Sequence, residues 1–263
     1  MRWRRTFEAM TNDHLQIATE GPVTRITLDQ PERRNALSLD LMRGLTQALR
    51  QAAGRVVVLA ANGPCFSSGH DLNELAGADA AATTELFDAC TELMETVQSI
   101  AQPVIAEVHG VATAAGCQLV ASCDLAVAEF SARFGTPGVK IGLFCSTPMV
   151  PLSRSIGPKR AMQMLLTGEL VDAATAAEWG LINTVVEPDL LTKTATALAE
   201  QIAQASPLTI AFGKRTFHRQ LGLDQHHAYE LAGATMVANA STDDAHEGIT
   251  AFLDKRTPTW TGT

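Results

Sequence analysis

Two short stretches of small residues hold the groups with which this chain can do chemistry. The first is Thr113-Ala114-Ala115-Gly116, which leads directly into an apolar helix start at Cys117-Gln118-Leu119. Such a turn presents bare backbone N–H groups at a helix N-terminus. A ligand oxygen can approach Ala115 and Gly116 closely, attracted by unpaired donors and by the positive end of the helix dipole. The second stretch is Gly63-Pro64-Cys65-Phe66-Ser67-Ser68-Gly69-His70-Asp71-Leu72, again a small-residue loop ahead of a helical segment. Two such loops, each following a buried strand, can converge their N–H groups on one oxygen and stabilise an oxyanion. Tight strand-to-helix packing also demands small residues and accounts for the same residues equally well.

The elements that must hold these loops are readable from periodicity. His14 to Leu28 alternates as a hairpin about Glu20-Gly21-Pro22. Ser38 is a candidate N-cap for a helix with Leu41, Leu45, Ala48, Leu49 and Ala52 on one face, closed by Gly54. Val56 to Ala60 is an unbroken apolar run, the pattern of a strand covered on both faces. A helix spans about Thr83 to Ala101, and three apolar strand-like runs fall between Pro103 and Ser146. Pro148 to Thr167 reads as helix interrupted at Gly157-Pro158, Ala173 to Trp179 as a short helix ended by Gly180, and Asn183 to Glu187 as a last strand. From Asp189 the pattern is helical, with breaks at Ser206-Pro207 and Gly222-Leu223-Asp224, ending at Phe252. The change from alternating strands and helices to helices alone divides the chain into an α/β core, 1–205, and a helical C-terminal region, 206–263.

Composition excludes several function classes. With 263 residues, 46% of them hydrophobic and 18% charged, the chain can bury a sizeable core. A net charge of −8 argues against nucleic acid as a partner. Apolar runs are broken well before the ~18 residues of a membrane span. The start, Met1-Arg2-Trp3-Arg4-Arg5, is basic without the apolar core of a secretory signal, which leaves a disordered start or a short organelle-targeting remnant. Cys65, Cys90, Cys117, Cys123 and Cys145 contain no CxxC pair and read as reduced intracellular thiols. No metal is expected, because His226 and His227 are adjacent and point apart on a helix. Glu107, between Ala106 and Val108, is out of place in a buried strand and calls for an Arg or His partner. Asp71 reads as a loop-fixing residue, and Glu74 as a carboxylate near the second loop.

Several motifs occur together in order: Arg34-Asn35-Ala36-Leu37, Phe66 to Leu72, Pro103 to Ala106 with Gly110, Ala115-Gly116-Cys117 with Cys123-Asp124, Phe134-Gly135, Thr167-Gly168 and Phe252 to Arg256. In these the chain resembles the enoyl-CoA hydratase/isomerase, or crotonase, family over nearly its whole length. The resemblance implies an α/β fold, a spiral of repeated ββα units with a C-terminal helical trimerisation region, assembled as a homotrimer or a dimer of trimers. It implies an acyl-CoA or enoyl-CoA as ligand, no separate cofactor, and a place in fatty-acid metabolism. The thioester carbonyl would accept from the backbone N–H groups of His70 and Ala115, at ~3–4 kcal/mol per donor. CoA contacts would fall at Ala36, Ser68, His70, Asp71 and Leu72. Arg34, Lys255 and Arg256 are candidates for the CoA phosphates, the last two across a subunit boundary, with solvated surface charge as the other reading. Asp124 reads as structural.

The departures weigh as much. Hydratases of the family use two glutamates, and the corresponding positions here are Gln118 and Gly138. Losing one general acid or base typically costs ~10²- to 10⁴-fold, so ordinary enoyl-CoA hydration is not expected. Replacing both positions by Glu is expected to raise it. The His70 side chain is the best-placed titratable group. Cys145 and Ser146 lie where other members place active-site residues, but no base stands beside either in the sequence. Two readings remain: an enzyme needing little acid–base help, such as a decarboxylase of a malonyl-type thioester, or a protein that binds and sequesters acyl-CoA. The implied location is the cytoplasm in a bacterium, or the mitochondrial matrix in a eukaryotic cell.

Overall fold

The computed structural model describes residues 14–263, so the basic start at Met1 to Arg5 lies outside the described residues. Alternation in the first segment gives an antiparallel hairpin, β1 (Leu15–Glu20) and β2 (Val23–Leu28). Ser38 accepts the Leu41 N–H at 3.2 Å and starts α1 (Leu39–Arg50), which buries Leu41, Met42, Leu45 and Leu49. Then come β3 (Val56–Ala61), the single turn α2 (Leu72–Leu75) and α3 (Ala80–Ser99). α3 begins a turn earlier than the apolar periodicity indicates because the Asp79 carboxylate accepts the Ala82 N–H.

The 103–146 stretch folds as β4 (Val104–Val108), β5 (Val111–Thr113), α4 (Ala115–Ser122), β6 (Leu125–Glu129) and β7 (Arg133–Gly135). These are four strands where three runs were expected, since β5 and β7 are too short to show a period. α5 (Met149–Ser155) and α6 (Pro158–Thr167) part at Gly157, followed by β8 (Val171–Asp172), α7 (Ala173–Trp179), β9 (Thr184–Val186) and α8 (Leu191–Ile202). The C-terminal helices are α9 (Pro207–Gln220), α10 (Gln225–Ala240) and α11 (Asp243–Leu253). The last two are not one continuous helix, as the sequence pattern suggests, because Thr242 accepts the Ala245 N–H and caps a new one.

Strand order is β1-β2-β3-β4-β6-β9 in a six-stranded sheet, parallel from β2 onward, and β5-β7-β8 in a three-stranded one. Isolated bridges at Leu37–His70 and Ser67–Ala112 extend the smaller layer. Each turn of the spiral therefore gives one long strand to the large sheet and one short strand to the small one: β3 with 66–70, β4 with β5, β6 with β7. The large sheet is covered on both faces, as the unbroken run at Val56 to Ala60 indicates. Val57, Leu59 and Ala106 join the main core with residues of α1, α3 and α4, while Val56, Val58, Ile105 and Val127 pack with Leu191, Ala195 and Ala199 of α8.

Two charges buried by this arrangement are paired. Glu107 accepts from Arg25 at 2.7 Å and from Thr192 Oγ1 at 2.7 Å, and of the two partners its position allows, Arg or His, the structure supplies Arg. Lys214 of α9 donates to the Val97 and Gln102 carbonyls and pairs with Asp124 at 2.7 Å, joining the C-terminal helices to the ends of α3 and α4. Asp124 also accepts the Val104 N–H, which makes it structural as expected.

Candidate functional site

Asn35 builds the floor of the site. Arg34 and Asn35 both lie in the left-handed region, at φ 53° and 49°, which turns the Asn35 side chain inward. Its amide donates to the Asn62 and Cys65 carbonyls and accepts the Gln30 N–H, so one buried side chain ties the loop after β3 to the turn before α1. The Ser67 hydroxyl donates to the Asn35 carbonyl at 2.8 Å and accepts the Gly69 N–H at 3.2 Å. Asn35 and Ser67 are the supports that residue type alone does not reveal. Each is an unremarkable polar residue in sequence, and its role appears only when 30, 35, 62, 65 and 69 meet.

On this floor the two small-residue loops touch. A Cβ on Gly69, whose φ is +92°, would lie 2.8 Å from the Ala114 Cβ, 2.9 Å from the Thr113 carbonyl and 3.2 Å from the Ala115 nitrogen. A Cβ on Gly116 would lie 2.5 Å from the Ser67 carbonyl. The glycines are thus required by packing, and that packing is what brings His70 beside Ala115.

The bonding leaves specific donors over. Leu37 donates to the Gly69 carbonyl at 2.7 Å and accepts the Asp71 N–H at 3.3 Å, so the residues flanking His70 are paired while the His70 N–H points the other way. Ala114 donates to the Gly135 carbonyl and accepts from Gln118, which leaves the Ala115 N–H at the head of α4. Neither the His70 nor the Ala115 N–H donates to another group among the described residues. Ala114 holds this geometry at φ 49° and ψ −118°, a conformation that costs a non-glycine residue about 1–3 kcal/mol.

Residues 18–263 match the family model described as Enoyl-CoA hydratase/isomerase. The chain belongs to the enoyl-CoA hydratase/isomerase family. It is 47% identical over 243 residues to the rat enoyl-CoA hydratase domain-containing protein 3, mitochondrial, covering 90% of this chain and 81% of the relative. Among solved structures it is similar to an enoyl-CoA hydratase of Mycobacterium smegmatis, at 45% identity and TM-score 0.91, covering 94% of this chain and 98% of the other. It is also similar to the human enoyl-CoA hydratase domain-containing protein 3, at 42% identity and TM-score 0.91 over 94% of this chain and all (100%) of that one. The fold implied by the sequence motifs is therefore the fold the chain has, and acyl-CoA-type substrates are those of its family.

Positions 118 and 138 carry a buried amide and a glycine. Gln118 is buried on α4 and its Oε1 faces the Cys90 thiol at 3.7 Å. Gly138 sits in a 3-10 turn at 137–141, and a Cβ there would lie 2.1 Å from the Leu143 carbonyl oxygen and 2.8 Å from the Cys145 Sγ. Main chain from the 142–145 loop fills the place of any side chain at 138. A glutamate at 138 must therefore displace Leu143 before its carboxylate has room. The Cys145 thiol is pushed up by burial, as is Cys117, which reaches about 12. The hydroxyl of exposed Ser146 donates to the Phe144 carbonyl at 3.4 Å, with no base beside it.

The His70 ring lies perpendicular to Phe87 of α3, centroids 5.2 Å apart, and burial lowers its pKa against a small opposing effect of the nearby Leu37 carbonyl. Asp71 is buried, pairs with Arg33 and accepts the Asn73 N–H, fixing the loop as its type suggests. Glu74 accepts the Leu39 N–H at 2.8 Å and so serves α1 rather than the junction. Ala36 is buried, Ser68 and Arg34 are exposed, and Leu72 is exposed at the start of α2. Lys255 is exposed at φ 56°, whereas Arg256 is held by both oxygens of Glu247 at 2.7 and 2.8 Å. All five cysteines are free thiols, and the described residues contain no group of three or more His, Cys, Asp or Glu suited to a metal. No described helix is long and apolar enough to cross a membrane.

Proposed function

We propose that this chain binds a CoA thioester with its carbonyl oxygen between the backbone N–H groups of His70 and Ala115, and that it does not hydrate enoyl-CoA at rates ordinary for its family. One observation carries the reading: two unpaired N–H groups stand at a single loop junction, while the adjacent positions 118 and 138 offer an amide and no side chain. Donors placed at a developing enolate oxygen are worth ~3–4 kcal/mol each. Without a group to move a proton, that stabilisation serves reactions that reach the enolate by another route. Decarboxylation of a malonyl-type thioester is such a route: the bond from Cα to the carboxylate breaks, carbon dioxide leaves, the electron pair of that bond becomes the enolate, and a proton from water at Cα completes the acyl-CoA. The second reading, an acyl-CoA binding protein without turnover, is favoured by the amide at 118 and the glycine at 138, which supply no general base.

The C-terminal region supports an assembled state. Phe217, Tyr229, Met236, Val237, Phe252 and Leu253 of α9 to α11 are more than half exposed, an apolar face suited to further copies of the chain in a homotrimer or dimer of trimers. By analogy with the mitochondrial relatives, the site of action is the matrix if the cell is eukaryotic, and the cytoplasm if it is bacterial. The test is mass spectrometry of the purified protein with a panel of enoyl-, acyl- and malonyl-type CoA thioesters, with calorimetry in parallel. Binding with loss of carbon dioxide supports the enzyme, binding without any mass change supports sequestration, and rapid gain of water refutes the proposal.

A further inference from the structure

Four buried side-chain polar atoms lack a hydrogen-bond partner among the described residues, and two of them are Nδ1 and Nε2 of His70. A neutral imidazole has one donor and one acceptor, and here neither is used. Native interiors rarely leave such groups unpaired without a use for them. The surroundings are not polar: Phe87 stands perpendicular over the ring at 5.2 Å, and Phe87 is itself only half-buried, so solvent lies one ring away. Asp71, the nearest carboxylate in sequence, is spent on Arg33 and Asn73. Glu74 is spent on Leu39. The Leu37 carbonyl is the polar neighbour of the ring, and it makes no well-formed hydrogen bond with either nitrogen.

We propose that the His70 imidazole is the specificity-determining group of the acyl site, donating a ring N–H to an oxygen substituent, hydroxyl or carboxylate, on the acyl chain of the bound thioester. The inference rests on the CoA-thioester reading above. One residue then reads two features of the ligand: its main-chain N–H takes the thioester oxygen, and its ring takes an oxygen further along the chain. The Phe87 ring turns aside to admit that oxygen, and burial keeps the imidazole neutral, with a single N–H to give. An unsubstituted alkyl chain would leave both nitrogens unpaired and bind less tightly.

The experiment is calorimetric titration of the intact protein with butyryl-CoA, 3-hydroxybutyryl-CoA and succinyl-CoA, the last two separating hydroxyl from carboxylate. At least one oxygenated ligand is expected to bind about tenfold or more tightly than butyryl-CoA. In His70→Phe, which keeps the backbone N–H and the ring shape, that ratio falls to about one, and His70→Gln restores part of it through its amide. Equal affinities in the unaltered protein overturn the inference, as does a ratio that survives in a His70→Phe protein melting normally. If His70→Phe does not fold, Phe87→Ala takes its place: it is expected to widen the ratio, and an unchanged ratio overturns the inference. If no thioester binds at all, the CoA-thioester reading itself fails. Binding without preference removes only the role of the His70 ring.

Discussion

The loop junction and the wall beside it are built on opposite principles. At the junction every contact is fixed: Asn35 and Ser67 tie three segments together, Gly69 and Gly116 admit no side chain, and Ala114 is held in a conformation that its Cβ disfavours. At the wall, Gln118 is buried against a thiol and Gly138 is pressed by the Leu143 carbonyl. One region leaves two backbone N–H groups without a partner, and the other carries a buried amide and a crowded glycine. On the function proposed above, polarising a carbonyl and handling its proton are separable parts of this site.

Gly69→Ala should have the largest effect. The new Cβ would meet the Ala114 Cβ at 2.8 Å and the Thr113 carbonyl at 2.9 Å, in a backbone conformation at φ +92° that alanine resists. Combined strain and overpacking of about 3 kcal/mol or more should lower the melting temperature and weaken thioester binding. Near-normal melting and binding would show that the junction is looser than its contacts imply. Gly138→Glu comes next, at about 1–3 kcal/mol of destabilisation from displacing Leu143, with no hydration gained. A stable Gly138→Glu protein that hydrates a short enoyl-CoA would show that the wall is only one substitution from function.

Smaller effects sharpen the contrast within the junction. The folded pKa of His70 is depressed, so below the ordinary histidine value near ~6.5 the unfolded state takes up a proton that the folded state refuses. Its contribution to stability is thus present above that value and lost as pH falls through it toward the folded pKa. Denaturant titrations between pH 5 and 8 should show a slope of up to ~1.4 kcal/mol per pH unit in this window, reduced in His70→Phe. An identical slope in the variant would assign the titration to another group. Ala114→Gly should relieve the positive φ and leave stability equal or up to about 1 kcal/mol higher. A clear loss of stability would mean that the Ala114 Cβ packing against Gly69 outweighs the strain.

Much of this was legible in the sequence. The hairpin at residues 14–28, the cap at Ser38, the doubly covered strand at Val56 to Ala60 and the need of Glu107 for a cationic partner, Arg or His, follow from alternation, capping chemistry and the cost of burying a charge. The two small-residue loops were legible as a pair, though not the reason for them, because Gly69 meets Ala114 only after two turns of the spiral are stacked. β5, β7 and β8 are not legible because a strand of two or three residues has no period. The crowding at Gly138 was invisible for a different reason. A glycine reads as a missing side chain, and only coordinates show that main chain from residue 143 has taken the space.

The most direct measurement is the infrared carbonyl band of a ¹³C=O-labelled butyryl-CoA bound to the protein. Two backbone donors at the junction should polarise the thioester carbonyl, so the account predicts a shift of the bound band to lower frequency than in water, lost in Gly69→Ala. A bound thioester whose carbonyl band matches that of the free ligand would contradict it, and the unpaired N–H groups of His70 and Ala115 would then be a by-product of packing.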